Sequence, residues 1–325
     1  MPTGSAKATV ICQSAGQIAL VATGRWLYSS WRGIVWHQDK DASTIGEKTI
    51  TMRAIRNINQ TIFMELIDIG CNLTHDSFDR DREAVIASAH AAGVVQMIIT
   101  GASAEGSRDA VKLAKAWPQQ LFATAGVHPH HASDYDDETD TLIRGLAAGH
   151  DIVAVGETGL DYFRDFSPRD AQRSAFERQI QIAIDTGLPL FLHQRDAHDD
   201  FFDILGSHRD QLNEVVVHCF TGNQAELREY LDLDCHIGIT GWICDERRGT
   251  HMKEFLGDIP INRLMIETDS PYLKPRNLRP KIKSNRNEPR LLPWILGTLA
   301  ACRGEHPAVL AEATTRNARE FFRLG

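Results

Sequence analysis

The feature that most constrains the fold is a series of short apolar runs separated by helix-sized segments, from Met64 to the carboxyl terminus. Most runs are nearly continuous rather than alternating, which is typical of parallel strands covered on both faces. Eight βα units can close on themselves into a TIM-like (β/α)8 barrel. We predict this barrel, and the alternative is a doubly wound open sheet. The eight candidate strands are Leu66–Ile69, Val95–Thr100, Phe122–Gly126, Ile152–Gly156, Pro189–His193, Val215–Cys219, His236–Thr240 and Leu264–Thr268.

The segment before the fifth strand illustrates the expected helices. Ser167 and Pro168 predict an N-cap followed by a first-turn proline, and Gly187 predicts the end of the helix. Phe176 and Ile180 lie four residues apart and fall on one helical face, so we expect that face to pack against the sheet.

Residues 1–63 differ in texture, because they carry three tryptophans and no clear strand–helix rhythm. A first strand starts directly after Met64, a plausible initiator. We therefore expect residues 1–63 to be a non-barrel extension that is poorly ordered or derives from an upstream start, and residues 64–325 to be the barrel domain. An organelle-type leader is the alternative, although few arginines are present. The early apolar run Ile18 to Ala22 is far shorter than the roughly 20 residues that span a bilayer, so we expect no membrane association.

Charge and cysteine content limit the function classes. The formal net charge of -8 argues against binding nucleic acid by bulk attraction, so any such contact must be local. The 6 cysteines are scattered and form no CxxC pair, which argues against a disulfide scaffold or a structural zinc site. This pattern favours a reducing cytoplasm.

Ionisable residues recur at the carboxyl ends of the predicted strands. Glu157 follows the fourth strand, and His193 and His218 end the apolar runs of the fifth and sixth. In a barrel, the carboxyl ends of all strands meet at one mouth, so these side chains should converge there. A single histidine in such a place is more often a hydrogen-bonded core residue, but two with a glutamate favour a metal site. Imidazole and carboxylate ligands suit magnesium, manganese or zinc.

Asp269 follows the eighth strand, just before the turn at Pro271. An aspartate there can bind an ion and take a proton from an attacking water, whose pKa a metal lowers from about 15.7 to about 7. The alternative is a turn-forming aspartate. We predict that Glu157, His193, His218 and Asp269 bind metal, and that Glu157 and Asp269 are catalytic.

Basic residues crowd the loops after the last two strands. Arg247 and Arg248 follow the seventh strand, and the loop after the eighth carries Lys274, Arg276, Arg279, Lys281, Lys283, Arg286 and Arg290. These loops are the usual phosphate site of such barrels, so we expect a local anion-binding surface, with a solvated basic loop as the alternative. We predict that Arg195, Arg247 and Arg248 contact substrate. His128, His130 and Asn72 are candidates for contacts to the scissile phosphate, with structural roles as the alternative.

Six segments occur in an order that resembles the TatD deoxyribonuclease family, over about residue 64 to the carboxyl terminus. They are Gly126-Val-His-Pro-His130, Gly156-Glu-Thr-Gly-Leu-Asp161, Leu192-His-Gln-Arg-Asp196, Val217-His-Cys-Phe-Thr-Gly222, Ile237-Gly-Ile-Thr-Gly-Trp242 and Ile266-Glu-Thr-Asp-Ser-Pro-Tyr272. The resemblance is closest to the founding member rather than to its paralogues. It implies a TIM-like barrel in the cytoplasm and a magnesium-type metal. It also implies 3′-to-5′ exonuclease action on single-stranded DNA or RNA, in repair of oxidative damage.

The chain departs from the wider family in one place. Many relatives carry His-x-His at the end of the first strand, where Gly70 and Asn72 stand here. Glycine offers no side-chain ligand and an amide oxygen is weaker than imidazole, so we expect one ion of a pair to be lost, weakly bound or recruited with substrate phosphate. This substitution favours magnesium over a tight zinc pair. Separately, we expect the protein to be a monomer.

Two other function classes fit the same residues. An amidohydrolase-like enzyme could cleave a small amide or lactone, but the lysine expected at its fourth strand is replaced by Glu157. A non-catalytic barrel could bind nucleic acid or a protein, but the predicted ligand set does not favour it.

Overall fold

The computed structural model describes residues 64–325 and, before them, the strands within residues 8–13, 17–22, 25–30, 33–38 and 49–50. The chain divides into two compact units, Met1–Phe63 and Met64–Gly325. In the first unit, β1 (Ala8–Gln13), β2 (Gln17–Ala22), β3 (Arg25–Ser30), β4 (Gly33–Gln38) and β5 (Thr49–Ile50) form an antiparallel sheet in the order β4-β3-β2-β1-β5. The sequence analysis did not predict these strands. The expectations of poor order and of an upstream start fall mostly outside the described residues and stay predictions.

The second unit contains the eight parallel strands that the sequence predicts, in sequential order around one sheet. They are β6 (Leu66–Cys71), β7 (Val94–Ile99), β8 (Leu121–Ala125), β9 (Ala154–Asp161), β10 (Leu190–Arg195), β11 (Val215–Val217), β12 (His236–Ile239) and β13 (Leu264–Ile266). Most bounds differ from the prediction by one or two residues. The largest difference is β9, which extends five residues further, so that Glu157 and Asp161 lie within the strand rather than after it.

Backbone hydrogen bonds beyond the ends of the first and last strands close the sheet into a barrel. Cys71 and Ser270 form a parallel bridge. The amide of Asn72 donates to the Ser270 carbonyl (2.7 Å), and the amide of Asp269 donates to the Gly70 carbonyl (2.8 Å). The predicted barrel is therefore confirmed, and the open-sheet alternative is wrong.

Eight helices of the barrel unit surround the strands. They are α1 (Arg82–Ala91), α2 (Ala104–Ala116), α3 (Asp137–Ala148), α4 (Arg169–Thr186), α5 (His198–His208), α6 (Gln224–Asp232), α7 (Leu292–Arg303) and α8 (Pro307–Phe322). Between β12 and β13 the expected α-helix is replaced by four short 3-10 turns within residues 241–263. Glycine and proline recur in that segment and disfavour a continuous helix.

Helix α4 ends as predicted and starts one residue later than predicted. Gly187 adopts the left-handed conformation (φ 68°) that closes the helix. Pro168 rather than Ser167 occupies the N-cap position. The Ser167 hydroxyl instead donates to the His130 carbonyl (3.1 Å) and accepts from the Ser133 amide (3.2 Å), which ties two loops of the mouth together.

The barrel interior is filled by apolar side chains that alternate with outward-facing ones along each strand. Phe191, Val216 and Met265 belong to this interior cluster, which Phe321 and Phe322 of α8 complete. A larger apolar layer packs between the strands and the surrounding helices. Because side chains on one face of a strand recur every second residue, the next interior positions after the three strand residues carry His193, His218 and Glu267.

Candidate metal centre

One carboxylate oxygen at the carboxyl-terminal mouth of the barrel is surrounded by three imidazoles. Glu157 Oε1 lies 2.8 Å from His218 Nε2, 3.1 Å from His193 Nδ1 and 3.4 Å from His128 Nε2. Donor atoms of His128, Glu157 and His193 all lie within 4.8 Å of one another, as ligands of one ion would. Of the predicted ligands, Glu157 and His193 belong to this group with His128, and His218 joins them through its 2.8 Å contact with Glu157 Oε1.

Local backbone geometry carries Glu157 to this position. Gly156 has a φ of +138°, and a Cβ there would stand 2.1 Å from the Phe191 carbonyl oxygen. A side chain at residue 156 would therefore force β9 away from β10. The glycine lets the strands approach closely and aims the next residue into the mouth.

Each predicted histidine ligand has a carboxylate near its other ring nitrogen. Glu267 Oε2 lies 3.2 Å from His218 Nδ1, and Asp161 Oδ2 lies 3.4 Å from His193 Nε2. Such carboxylates orient metal-binding imidazoles and raise their basicity. Asp161 and Glu267 lie within the family motifs, but no role was predicted for them from the sequence. The signal for Glu267 was its position two residues after the interior residue Met265.

The donor set fits a divalent cation. Nitrogen atoms of three imidazoles converge on one buried carboxylate oxygen, that of Glu157. Such a mixed set of nitrogen and oxygen donors is of the kind that divalent cations bind.

Electrostatic coupling within the cluster is strong. Burial raises the pKa of Glu157, but the imidazoles of His128 and His218 outweigh it and hold that pKa well below its usual value. Burial lowers the pKa of His218, but Glu157 and Glu267 outweigh it and raise that pKa well above its usual value. A proton on His218 therefore carries positive charge in the metal-free protein, and it must leave if this imidazole binds an ion. Burial lowers the pKa of His193, but Asp161 and Glu157 outweigh it and raise that pKa as well.

His128 is the neutral imidazole of the group. Burial lowers its pKa well below the usual value. Its Nδ1 accepts a hydrogen bond from the His130 amide (3.1 Å), so the single ring proton lies on Nε2, which faces Glu157. His128 can therefore donate a hydrogen bond into the cavity.

Asp269 lies in the same cavity, where the first and last strands meet. Its Oδ1 accepts a hydrogen bond from Asn72 Nδ2 (3.0 Å) across that junction. Burial, with the charges of Glu157 and Glu267 adding to it, raises the pKa of Asp269 to about 7, although His218 opposes them. Its side chain thus faces the cavity instead of capping the following turn.

The mouth forms a cavity of about 470 Å³. Five of the six substrate-contact candidates named from the sequence line it, together with the predicted ligands. The lining includes Asn72, His128, His130, Glu157, Asp161, Arg164, His193, Arg195, His218, Trp242, Arg248, Asp269 and Tyr272. The sixth candidate, Arg247, does not line this cavity.

Comparison with known proteins places this chain in one family. The family model described as TatD related DNase matches residues 67–323. The chain belongs to the TatD family. This confirms the family that the six motifs predicted.

Several TatD-family relatives match most of the chain. The protein named 3'-5' ssDNA/RNA exonuclease TatD of Pectobacterium carotovorum is 48% identical over 259 residues, which cover 80% of this chain and 100% of that protein. The Salmonella typhimurium protein of the same name is 46% identical, with 80% and 99% covered. The crystal structure of YJJV, a TatD homolog from Escherichia coli K12, superposes with a TM-score of 0.73 at 27% identity, covering 81% of this chain and all of that one.

A second, basic cavity adjoins the cavity at the mouth of the barrel. It measures about 450 Å³, and it shares Trp242, Arg248 and Leu273 with the mouth. Arg247 lines this second cavity. Asp245 forms ion pairs with the guanidinium groups of Arg247 and Arg248, each at 3.0 Å.

The predicted basic loop is divided in its roles. Lys274, Arg276 and Lys281 line the second cavity. The ammonium group of Lys274 also donates hydrogen bonds to the carbonyls of Ile282 and Ser284. Arg286 and Arg290 lie apart from the cavity and pair with carboxylates, among them Glu288. Only part of the predicted basic loop therefore lines the second cavity.

In the described residues, no helix is both long and apolar enough to cross a membrane.

Proposed function

We propose that this TatD-family chain is a metal-dependent 3′-to-5′ exonuclease that hydrolyses single-stranded DNA, with RNA as a second substrate. The observation that carries the proposal is the cluster of Glu157, His193 and His218 at the mouth, with carboxylates behind both imidazoles. Relatives at 46–48% identity that carry the name 3'-5' ssDNA/RNA exonuclease TatD support the substrate and the polarity.

Glu157, His193 and His218 would hold the divalent ion, with Asp269 as a further ligand. The ion supplies charge stabilisation at the phosphate and a water of lowered pKa. Asn72 fixes the Asp269 carboxylate by a 3.0 Å hydrogen bond, and this carboxylate would accept the proton of the attacking water.

The remaining cavity residues would bind the scissile phosphate. His128 donates a hydrogen bond from Nε2 without adding charge. Arg195 and Arg248 line the cavity and present guanidinium groups that grip phosphate oxygens through paired hydrogen bonds. Arg247 would contact a neighbouring phosphate from the basic cavity rather than the reacting one.

We infer magnesium as the working ion, with manganese as a substitute and zinc as a less favoured one. A Cβ at Gly70 would stand 2.4 Å from Glu267 Oε2, so the carboxylate fills the space where relatives place the first histidine of His-x-His. A ligand set that lacks both imidazoles of His-x-His and includes the carboxylates of Glu157 and Asp269 favours a hard cation.

A cytoplasmic location and a monomeric state belong to the same proposal. The five cysteines within residues 64–325 are free thiols, which suits a reducing compartment. Every residue of the proposed site comes from one chain, so catalysis needs no second copy.

The test is degradation of a single-stranded oligonucleotide labelled at its 5′ end, with magnesium and then with chelator. We expect progressive shortening from the 3′ end that chelation abolishes. His193→Ala should lose cleavage while it retains DNA binding, which separates the nuclease from a non-catalytic binding barrel. Hydrolysis of a small amide or lactone without DNA cleavage would overturn the proposal in favour of an amidohydrolase-like enzyme.

A further inference from the structure

Three exposed aromatic side chains lie around the mouth of the barrel. Among the described residues, the large hydrophobic side chains that are half or more exposed are Phe163 (54%), Phe166 (67%), Tyr272 (52%) and Val309 (50%). Val309 belongs to α8, whereas the three aromatic residues follow the strands β9 and β13. Exposed apolar groups that cluster beside a charged cavity indicate a ligand surface.

The three rings flank the metal centre on opposite sides. Strands β9 and β13 are four positions apart in an eight-stranded barrel, so the loops that follow them face each other across the mouth. Tyr272 lines the cavity itself. On the other side, Phe166 packs on His130 with ring centroids 4.8 Å apart.

The loop with the two phenylalanines is tied directly to the metal centre. Asp161 Oδ1 accepts hydrogen bonds from the amides of Phe163 (3.1 Å) and Arg164 (2.8 Å), while its Oδ2 faces His193. The Arg195 guanidinium lies 3.8 Å above the Phe163 ring and also lines the cavity. Aromatic faces and cationic groups therefore alternate along this rim, as in sites that bind single strands.

The basic cavity gives the bound strand a direction. It adjoins the mouth on the Tyr272 side, through Trp242 and Arg248, whose guanidinium stacks 4.2 Å from the Trp242 ring. A polynucleotide whose phosphates follow this cavity passes over Tyr272 to reach the ion. The nucleoside on the 3′ side of the scissile phosphate then lies next to Phe163 and Phe166.

We propose that these rings form two base-stacking subsites. This proposal rests on the proposed function and adds the way in which the substrate is held. Phe163 and Phe166 hold the 3′-terminal base, and Tyr272 holds a base on the 5′ side of the scissile phosphate. Both subsites need bases that are free of a partner strand, so they select single-stranded ends over duplex ends. Stacking on an aromatic side chain contributes about 1–3 kcal/mol per base, which corresponds to about 5- to 150-fold in affinity.

The experiment measures the affinity of 5′-fluorescein oligonucleotides whose terminal linkages are non-hydrolysable, by fluorescence anisotropy with magnesium present. One oligonucleotide is intact, one lacks the 3′-terminal base, and one lacks the base 5′ of the terminal linkage. We expect the wild type to lose about 5- to 150-fold in affinity for each abasic oligonucleotide. The double variant F163A/F166A should bind the intact strand as weakly as the wild type binds the terminally abasic one, and should lose nothing more when that base is removed.

Tyr272→Ala should show the mirror pattern, insensitive to the inner abasic site and still sensitive to the terminal one. Tyr272→Phe keeps the ring and should restore sensitivity to the inner base. Val309→Ala, which shortens an exposed side chain away from the mouth, should behave as wild type. The inference is overturned if the aromatic variants keep the wild-type response to both abasic sites, or if the wild type responds to neither.

Hydrolysis of bis(p-nitrophenyl) phosphate, a phosphodiester without bases, separates the two proposals. If the wild type cleaves neither this compound nor DNA with magnesium, the proposed function fails. If the wild type cleaves both and no base effect is seen, only the stacking subsites fail.

Discussion

Glu267 provides a sharp test of how the fold tunes the metal centre. It is fully buried, its Oε1 accepts a hydrogen bond from the Cys219 amide (2.6 Å), and its Oε2 lies 3.2 Å from His218 Nδ1. Glu267→Gln keeps the shape and an oxygen acceptor for the amide but removes the negative charge behind the imidazole. Loss of such a partner costs about 10- to 100-fold in metal affinity, or about 1.4–2.7 kcal/mol.

The assay is calorimetric titration of manganese into the metal-free proteins. A matched control is Glu229→Gln, because the carboxylate of Glu229 also pairs with an imidazole, that of His198 (2.5 Å), and neither residue lines the cavity. We expect weaker binding only for Glu267→Gln. Wild-type affinity in a folded Glu267→Gln protein, or equal weakening in both variants, would refute the role of this carboxylate.

Further predictions concern the ligands, the closure of the barrel and pH. His193→Ala should lower nuclease activity by more than about 100-fold in a cleavage assay. The reason is that mutation of a residue that only orients a metal ligand already lowers metal affinity or activity by about 10- to 100-fold. Gly70→Ala should lower the free energy of unfolding by about 1–3 kcal/mol in urea titration, since its Cβ would meet Glu267 Oε2 at 2.4 Å. Burial raises the pKa of Asp68 to about 8 and that of Asp269 to about 7. An unfolded aspartate ionises at about pH 4, so these two carboxyls favour the folded metal-free protein fully only below that pH. The free energy of unfolding should fall as pH rises from about 4 to the raised pKa values, by up to about 1.4 kcal/mol per pH unit and group, and should level off above about pH 8; Asp68→Asn should flatten the thermal-unfolding profile.

The sequence predicts the barrel and the main site because both depend on repetition. Eight apolar runs specify eight buried strands, and parallel strands bring their carboxyl ends together whatever the helices do. Glu157, His193 and His218 could therefore be placed at one mouth without coordinates. The structure confirms that they converge, while their role as ligands stays a proposal.

Features that depend on contacts between distant segments could not be predicted. The role of Glu267 depends on the space left by Gly70 across the closing junction. The partners of Arg286 depend on Asp81, 205 residues earlier in the chain. The basic loop therefore resembled a uniform cationic surface in sequence, although the structure engages part of it in ion pairs.

The central claim is that one divalent ion binds among Glu157, His193 and His218. The most direct measurement is anomalous diffraction from a crystal soaked in manganese. We predict a single strong peak about 2.1 Å from an oxygen of Glu157 and from a nitrogen of each histidine. A manganese-saturated, active crystal whose peak lies away from these three side chains would contradict the account.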